Sequence, residues 1–274
     1  MEGNSSRNVV SYIIPTVIFI FYSFTWLYIQ QFEVSASRDI RQLWGHTYLI
    51  LSVFGGIAGL FISKKWGGYK SLLGKAIAVL SIGLLFQSFG QIYSSYYVYF
   101  YDVESPPYPA IGDIGFFGSV LVYIYGVLLL SRLSGVHFSM RKFQNKIWMF
   151  TVPIFMLGLS YFLFLKGYEL TGISKVQVFL DFGYPLGQAL YVSIAILSLI
   201  ISWNWLGGVL QKPIWFLIFA LIFQSLSDFT FIFQAISGTW YVGGVNDFMY
   251  LTSYYLMAMA LIHMGSVFKK IKES

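Results

Sequence analysis

Eight runs of apolar residues, each near the length needed to cross a ~30 Å hydrocarbon core as a helix, recur along the chain. They cover roughly 9–29, 47–63, 76–100, 113–132, 147–166, 178–202, 213–234 and 245–266. The second is short and is expected to extend into its flanks. The longest connectors run about 12 to 16 residues, which leaves no room for a soluble domain. With 57% hydrophobic and only 10% charged residues, the composition lies outside the soluble range. In hydrocarbon every backbone polar group must be bonded internally, and a helix does this within one segment. The expected fold is an all-α polytopic membrane protein of eight transmembrane helices, one membrane-embedded body.

The net charge of +6 is informative by position. Arg7, Lys64, Lys65, Lys70, Lys75, Arg132, Arg141, Lys142, Lys146, Lys212, Lys269, Lys270 and Lys272 fall on one side of the membrane. Only Arg38, Arg41, Lys166 and Lys175 fall on the other, out of 17 basic residues. The positive-inside rule then places both termini in the cytoplasm of a multi-pass protein of the plasma membrane. A basic excess spread in this way suits anionic lipid headgroups, and no nucleic-acid partner is expected. The first span lacks a small-residue cleavage site, so a retained anchor is expected rather than a signal peptide. There are no cysteines, which excludes disulfides, thiolate metal sites and thiol nucleophiles.

The stretch Leu84-Leu-Phe-Gln-Ser-Phe-Gly-Gln91 aligns with Leu221-Ile-Phe-Gln-Ser-Leu-Ser-Asp228, 137 residues further on in a chain of 274. After a three-residue loop deletion, Asp113 aligns with Asp247 and Ser119 with Ser253. The expected organisation is a tandem duplication, 1–137 and 138–274, of four spans each. An even number of spans per copy gives two parallel four-helix repeats, related by an axis normal to the membrane, with the third and seventh spans near it. Many transporters instead carry inverted repeats.

Asp228 lies about fifteen residues into the seventh span, and a carboxylate there is costly unless paired, neutralised or wetted. Gln87 with Gln91, and Gln224 with Asp228, are i,i+4 pairs, so each shares one helix face. They read either as interhelical polar glue or as a ligand- or proton-sensing pocket. Asp113, Asp181 and Asp247 each fall at the outer start of a span. They read as helix N-caps or as an acidic rim around an outward cavity. The many tyrosines, with Tyr241 among them, read as an interfacial belt, some of which could line that cavity. The loop Tyr101–Pro109 is acidic through Asp102 and Glu104, and three prolines hold it extended. His46, His137 and His263 are too far apart for one metal, and no nucleotide-phosphate loop or nucleophile elbow is present. No enzymatic activity, cofactor or metal is expected.

Tyr108-Pro-Ala-Ile-Gly-Asp113 followed by Phe116 resembles the motif that opens the fourth span in a family of bacterial membrane-integrated sensor regions. That family is found N-terminal to diguanylate cyclases, phosphodiesterases and histidine kinases. Phe182-Gly-Tyr-Pro-Leu-Gly-Gln188 resembles its sixth-span motif, with Gln188 standing where the family usually has Asp. Asp228 resembles an aspartate near the end of its seventh span. Gly238-Thr-Trp-Tyr-Val-Gly-Gly-Val-Asn-Asp247, followed by Tyr250, resembles its closing turn. The resemblance covers roughly 80–270 and implies a sensory, ligand-binding membrane module. The sequence ends at Ser274, with no output domain after the eighth span, so output is expected to pass to a separate cytoplasmic or membrane signalling protein.

The leading expectation is therefore a sensor or receptor module. An unidentified small molecule would bind in an outward-facing intramembrane pocket built from Asp228, Gln224, Gln91, Gln87, Asp113, Asp247, Asp181, Gln188 and Tyr241. The alternatives are a small proton- or cation-coupled transporter and a structural subunit of a membrane complex. Against a transporter, no span shows an obvious mid-helix break.

Overall fold

A computed structural model of the chain describes residues 2–32, 38–101, 103, 106–133, 143–202 and 210–273. The helices are α1 (Glu2–Gln31), α2 (Arg38–Thr47), α3 (Ile50–Lys65), α4 (Leu72–Tyr101), α5 (Gly112–Leu133), α6 (Phe143–Ser160), α7 (Lys175–Ser202), α8 (Gln211–Ser237) and α9 (Val245–Glu273). Eight stretches are long and apolar enough to cross a membrane, and α2 and α3 together make the second. The described residues contain no strand. This is the expected all-helical, multi-pass membrane architecture. The expected repeat boundary at 137/138, together with His137, Asp102, Glu104 and Ser274, lies outside the described residues.

The second span does extend into its flank, reaching back to Ile40. Within Ile40–Lys65 the helix is interrupted at Tyr48–Leu49, at the edge of the 47–63 run read from the sequence. α2 stops at Thr47 and α3 starts at Ile50. Neither glycine nor proline occupies the break. On either side of it, Thr47 Oγ1 donates to the Leu43 carbonyl at 2.6 Å and Ser52 Oγ to the Leu49 carbonyl at 2.7 Å, bonds that also occur within the unbroken helices. Such back-bonding slightly destabilises helices and often bends them. Backbone bonds around the break include two of the i→i+3 type, from Leu51 to Tyr48 and from Ser52 to Leu49, beside the i→i+4 bond from Val53 to Leu49.

α4, α5, α8 and α9 form an inner bundle in which each helix touches the next around the ring. α3 packs on α4 and α9, and α7 packs on α5 and α8. The first and fifth spans are peripheral, with 11% and 17% of their apolar windows buried against 67% for α4. α1 lies on α9, α2 and α3, whereas α6 lies on α7 and continues as a π-helical turn, Tyr161–Leu165, that touches α8.

Lipid tails are as apolar as leucine, so close packing must hold these helices together and small residues allow it. A Cβ on Gly115 of α5 would lie 2.5 Å from the Gly90 nitrogen and 2.6 Å from the Phe86 carbonyl oxygen of α4. The two backbones are therefore in direct contact. α3 wedges between its neighbours in the same way: a Cβ on Gly55 would meet Ala258 of α9 at 2.8 Å, and one on Gly59 would meet Ser81 of α4 at 2.1 Å. α4 has 30 residues, about 45 Å at 1.5 Å per residue, so its tyrosine-rich end projects past a ~30 Å core.

Candidate functional site

The polar residues of the inner bundle converge on Asp228. This residue is 4% exposed on α8. Oδ1 accepts from Gln224 Nε2 at 3.0 Å, one helical turn earlier, and from the Tyr250 hydroxyl of α9 at 3.0 Å. Oδ2 accepts from the Tyr191 hydroxyl of α7 at 2.8 Å. All three donors are neutral, and they come from three helices. The Gln224 Oε1 in turn accepts from Ser253 Oγ of α9.

The first half contributes a smaller arrangement. Gln87 Nε2 of α4 donates to Ser119 Oγ of α5 at 2.7 Å. The Tyr254 hydroxyl of α9 donates to Gln87 Oε1 at 3.4 Å. Tyr254 stacks beside Tyr250 with ring centroids 6.1 Å apart, which joins the two groups. Gln91 does not take part. Its Nε2 donates to the Gly45 carbonyl of α2 at 3.2 Å.

Two enclosed polar atoms border this network without a hydrogen-bond partner among the described residues: the Tyr123 hydroxyl of α5 and Gln188 Oε1 of α7. Tyr123 is fully buried, and Gln188 is 3% exposed. The Tyr123 ring lies 5.9 Å from the Tyr191 ring, and Gln188 sits three residues before Tyr191 on the same face of α7. Leaving such a group unpaired in a protein interior costs about 1–3 kcal/mol.

The three outer aspartates are not N-caps of the usual forward kind. Asp113 and Asp247 lie inside the first turn and reach back, accepting from the Ala110 N–H and the Gly243 N–H, each at 2.7 Å. Asp181 is well inside α7, which begins at Lys175. There Ser174 is the cap, its Oγ accepting from the Gln177 N–H at 3.2 Å. Two of the aspartates instead form a clamp. The Tyr108 hydroxyl donates to Asp181 at 2.7 Å and the Tyr184 hydroxyl to Asp113 at 2.7 Å, so each tyrosine binds the other segment's carboxylate. Tyr168 also donates to Asp181. That bond, with lesser contributions from burial and the carboxylate charge, pushes the Tyr168 phenol up to about 12. Burial first, then Asp181, raises the Tyr108 phenol further. Tyr241 stands apart, 40% exposed, its hydroxyl donating to Gln30 Oε1 at 3.3 Å and the Arg41 guanidinium 5.8 Å above its ring.

The structure thus gathers Asp228 and Gln224 directly and Gln87 beside them, with Gln188 at the edge. It leaves Gln91, Asp113, Asp181, Asp247 and Tyr241 nearer the helix ends. Sequence reasoning missed Tyr191 and Tyr123. Their signal was depth, since both lie in mid-span, away from the interfacial positions where tyrosine is common. Searches against protein-family models, curated proteins and solved structures found no match for this chain.

Proposed function

We propose that the protein is a membrane-embedded receptor module, with the ligand's polar group held at the Asp228 network and the signal passed to a separate protein. The observation that carries this reading is the pair of unpartnered groups, Tyr123 O–H and Gln188 Oε1, beside a saturated carboxylate. Polar glue satisfies its own groups, because its worth lies in doing so. A donor and an acceptor left free next to Asp228 suit a small polar ligand that carries both functions. Such a ligand would also compete for Tyr191 and Tyr250, and so bias how α7 and α9 pack on α8; differential contact of this kind is what shifts a two-state equilibrium.

The duplicated organisation belongs to the same proposal. Gln87 pairs with Ser119 as Gln224 pairs with Ser253, which are the partners that the aligned blocks relate. The neighbour pattern of α3, α4 and α5 also matches that of α7, α8 and α9, while α1 and α6 pack differently. The motif resemblance to sensor regions and the one-sided distribution of basic residues support the sensory role and the cytoplasmic termini.

A carrier is the second reading, resting on the break at Tyr48–Leu49 and on a proline 137 residues after Tyr48, Pro185, although α7 runs unbroken through it. Interruptions at corresponding places in two halves point to substrate sites in transporters. Substrate flux in proteoliposomes separates the two readings.

The test of the site is Tyr123→Phe combined with Gln188→Leu. If these groups wait for a ligand, removing them raises the thermal stability of the free protein. Compounds that stabilise the wild type in a thermal-shift screen then lose their effect on the variant. A variant less stable than the wild type would show that both groups are already satisfied and would overturn the receptor site.

A further inference from the structure

A second site lies away from the Asp228 network, between α2 and the tyrosine-rich end of α4. A half-open cavity of ≈ 750 Å³ lies there, within the usual range for small-molecule sites. Its walls are mainly apolar, with Leu43, Leu49, Ile92 and Phe100 among them, and Leu43, Ile92 and Phe100 are exposed on the helix flanks. No Lys, Arg, Asp or Glu lines it. Two polar atoms on opposite walls, His46 Nε2 of α2 and Ser95 Oγ of α4, are enclosed and have no hydrogen-bond partner among the described residues.

The Ser95 observation is specific. Ser81 and Ser88 on the same helix each donate to the carbonyl four residues earlier, at 2.7 Å and 2.9 Å. Ser95 makes no such bond. The position of its partner wall is fixed by two contacts: Gln91 donates to the Gly45 carbonyl, and a Cβ on Gly45 would sit 2.3 Å from Val242. These contacts place the α2 wall of the cavity opposite Ser95.

We infer that this cavity binds a neutral, hydroxyl-headed lipid of the diacylglycerol class, its hydroxyl bridging His46 and Ser95 and its chains leaving between α2 and α4. One hydroxyl both donates and accepts, so it satisfies an imidazole nitrogen acceptor and a serine O–H donor together. A charged head would be buried with no counter-charge on the wall, at high cost. The apolar flanks face the direction from which a lipid arrives. This site does not depend on the receptor reading of Asp228.

The experiment uses the full chain in phosphatidylcholine nanodiscs, with a diazirine-bearing dioleoylglycerol as probe and a diazirine-bearing phosphatidylcholine as control. Crosslinks from the diacylglycerol probe are expected on the Ile92–Phe100 segment, competed by unlabelled dioleoylglycerol and absent with the control. His46→Leu with Ser95→Ala removes both bonds and is expected to cut labelling about tenfold. Ile92→Trp keeps both polar groups, fills the space and is expected to abolish labelling while the protein elutes unchanged from size exclusion. Equal labelling by the phosphatidylcholine probe, or labelling of Ile92→Trp at the wild-type level, would reduce the site to ordinary annular lipid and overturn the inference.

Discussion

Asp228 is held by three neutral donors from three helices, so its removal and its conservative replacement have different consequences. In Asp228→Leu the Tyr191 and Tyr250 hydroxyls and the Gln224 amide lose their acceptor. The expected cost is about 2 kcal/mol or more, the scale of several orphaned polar groups, and it is measured by heat or detergent unfolding. Asp228→Asn keeps one carbonyl oxygen and is expected to cost less than about 1 kcal/mol, while the ligand response proposed for this site is lost. A second residue-scale prediction concerns Tyr168, whose protonated phenol donates to Asp181. Because the folded value is raised to about 12 from 10.0, the contact is intact below the ordinary phenol range and is lost as pH rises through the raised value. In an absorbance titration, Asp181→Asn should bring the Tyr168 phenol back toward 10.0 and lower the Tyr108 phenol as well. The Gln224–Asp228 pair was legible in the sequence because i,i+4 spacing is local. Tyr191 and Tyr250 as partners were not, because only the packing of α7 and α9 on α8 brings them there.

Helix existence was read well from the sequence because it rests on apolar length, which hydrocarbon makes decisive. Helix interruption was not, since the break at Tyr48–Leu49 falls where neither hydropathy nor a proline or glycine marks it. Asp181 was misplaced for a similar reason: hydropathy falls off before the helix does, and α7 starts at Lys175, capped by Ser174. Helix contacts in turn predict which glycines matter. Gly115→Ala drives a methyl into backbone atoms of α4, which cannot rotate away, and should destabilise by about 1–3 kcal/mol. Gly158→Ala in α6 meets nothing within 4 Å and replaces a flexible residue inside a helix, so it should be neutral or stabilising by about 0.5–1 kcal/mol. Thermal unfolding of the two variants side by side checks both; equal losses would mean that α4 and α5 are not in backbone contact.

At the scale of the molecule, four inner helices together with α7 carry the polar network, α3 packs between α4 and α9, and the first and fifth spans are peripheral. The second and sixth spans each contact inner helices from both the first and the last four spans, so a bend in either would change how those helices pack. Orientation follows from charge rather than from packing, since helix contacts are the same whichever side faces out. In the sequence, thirteen of 17 basic residues fall in the segments that an eight-span order puts on one side, and Lys/Arg bias in short loops is the quantity that sets topology. The tight turn after α3, where Gly67 and Gly68 adopt φ of 90° and 56° next to Lys64, Lys65 and Lys70, belongs to that face and should be cytoplasmic. The turns around Gly172 and Ser237 should be external. Single cysteines test this on a clean background, because the chain has none of its own. In intact cells a membrane-impermeant maleimide is expected to modify Gly172→Cys and Ser237→Cys but to reach Tyr69→Cys only after permeabilisation. Labelling of Tyr69→Cys in intact cells, with protection at the other two, would invert the protein. The clamp of Tyr108, Asp113, Asp181 and Tyr184 would then face the cytoplasm, and any ligand of the Asp228 network would have to enter from inside the cell.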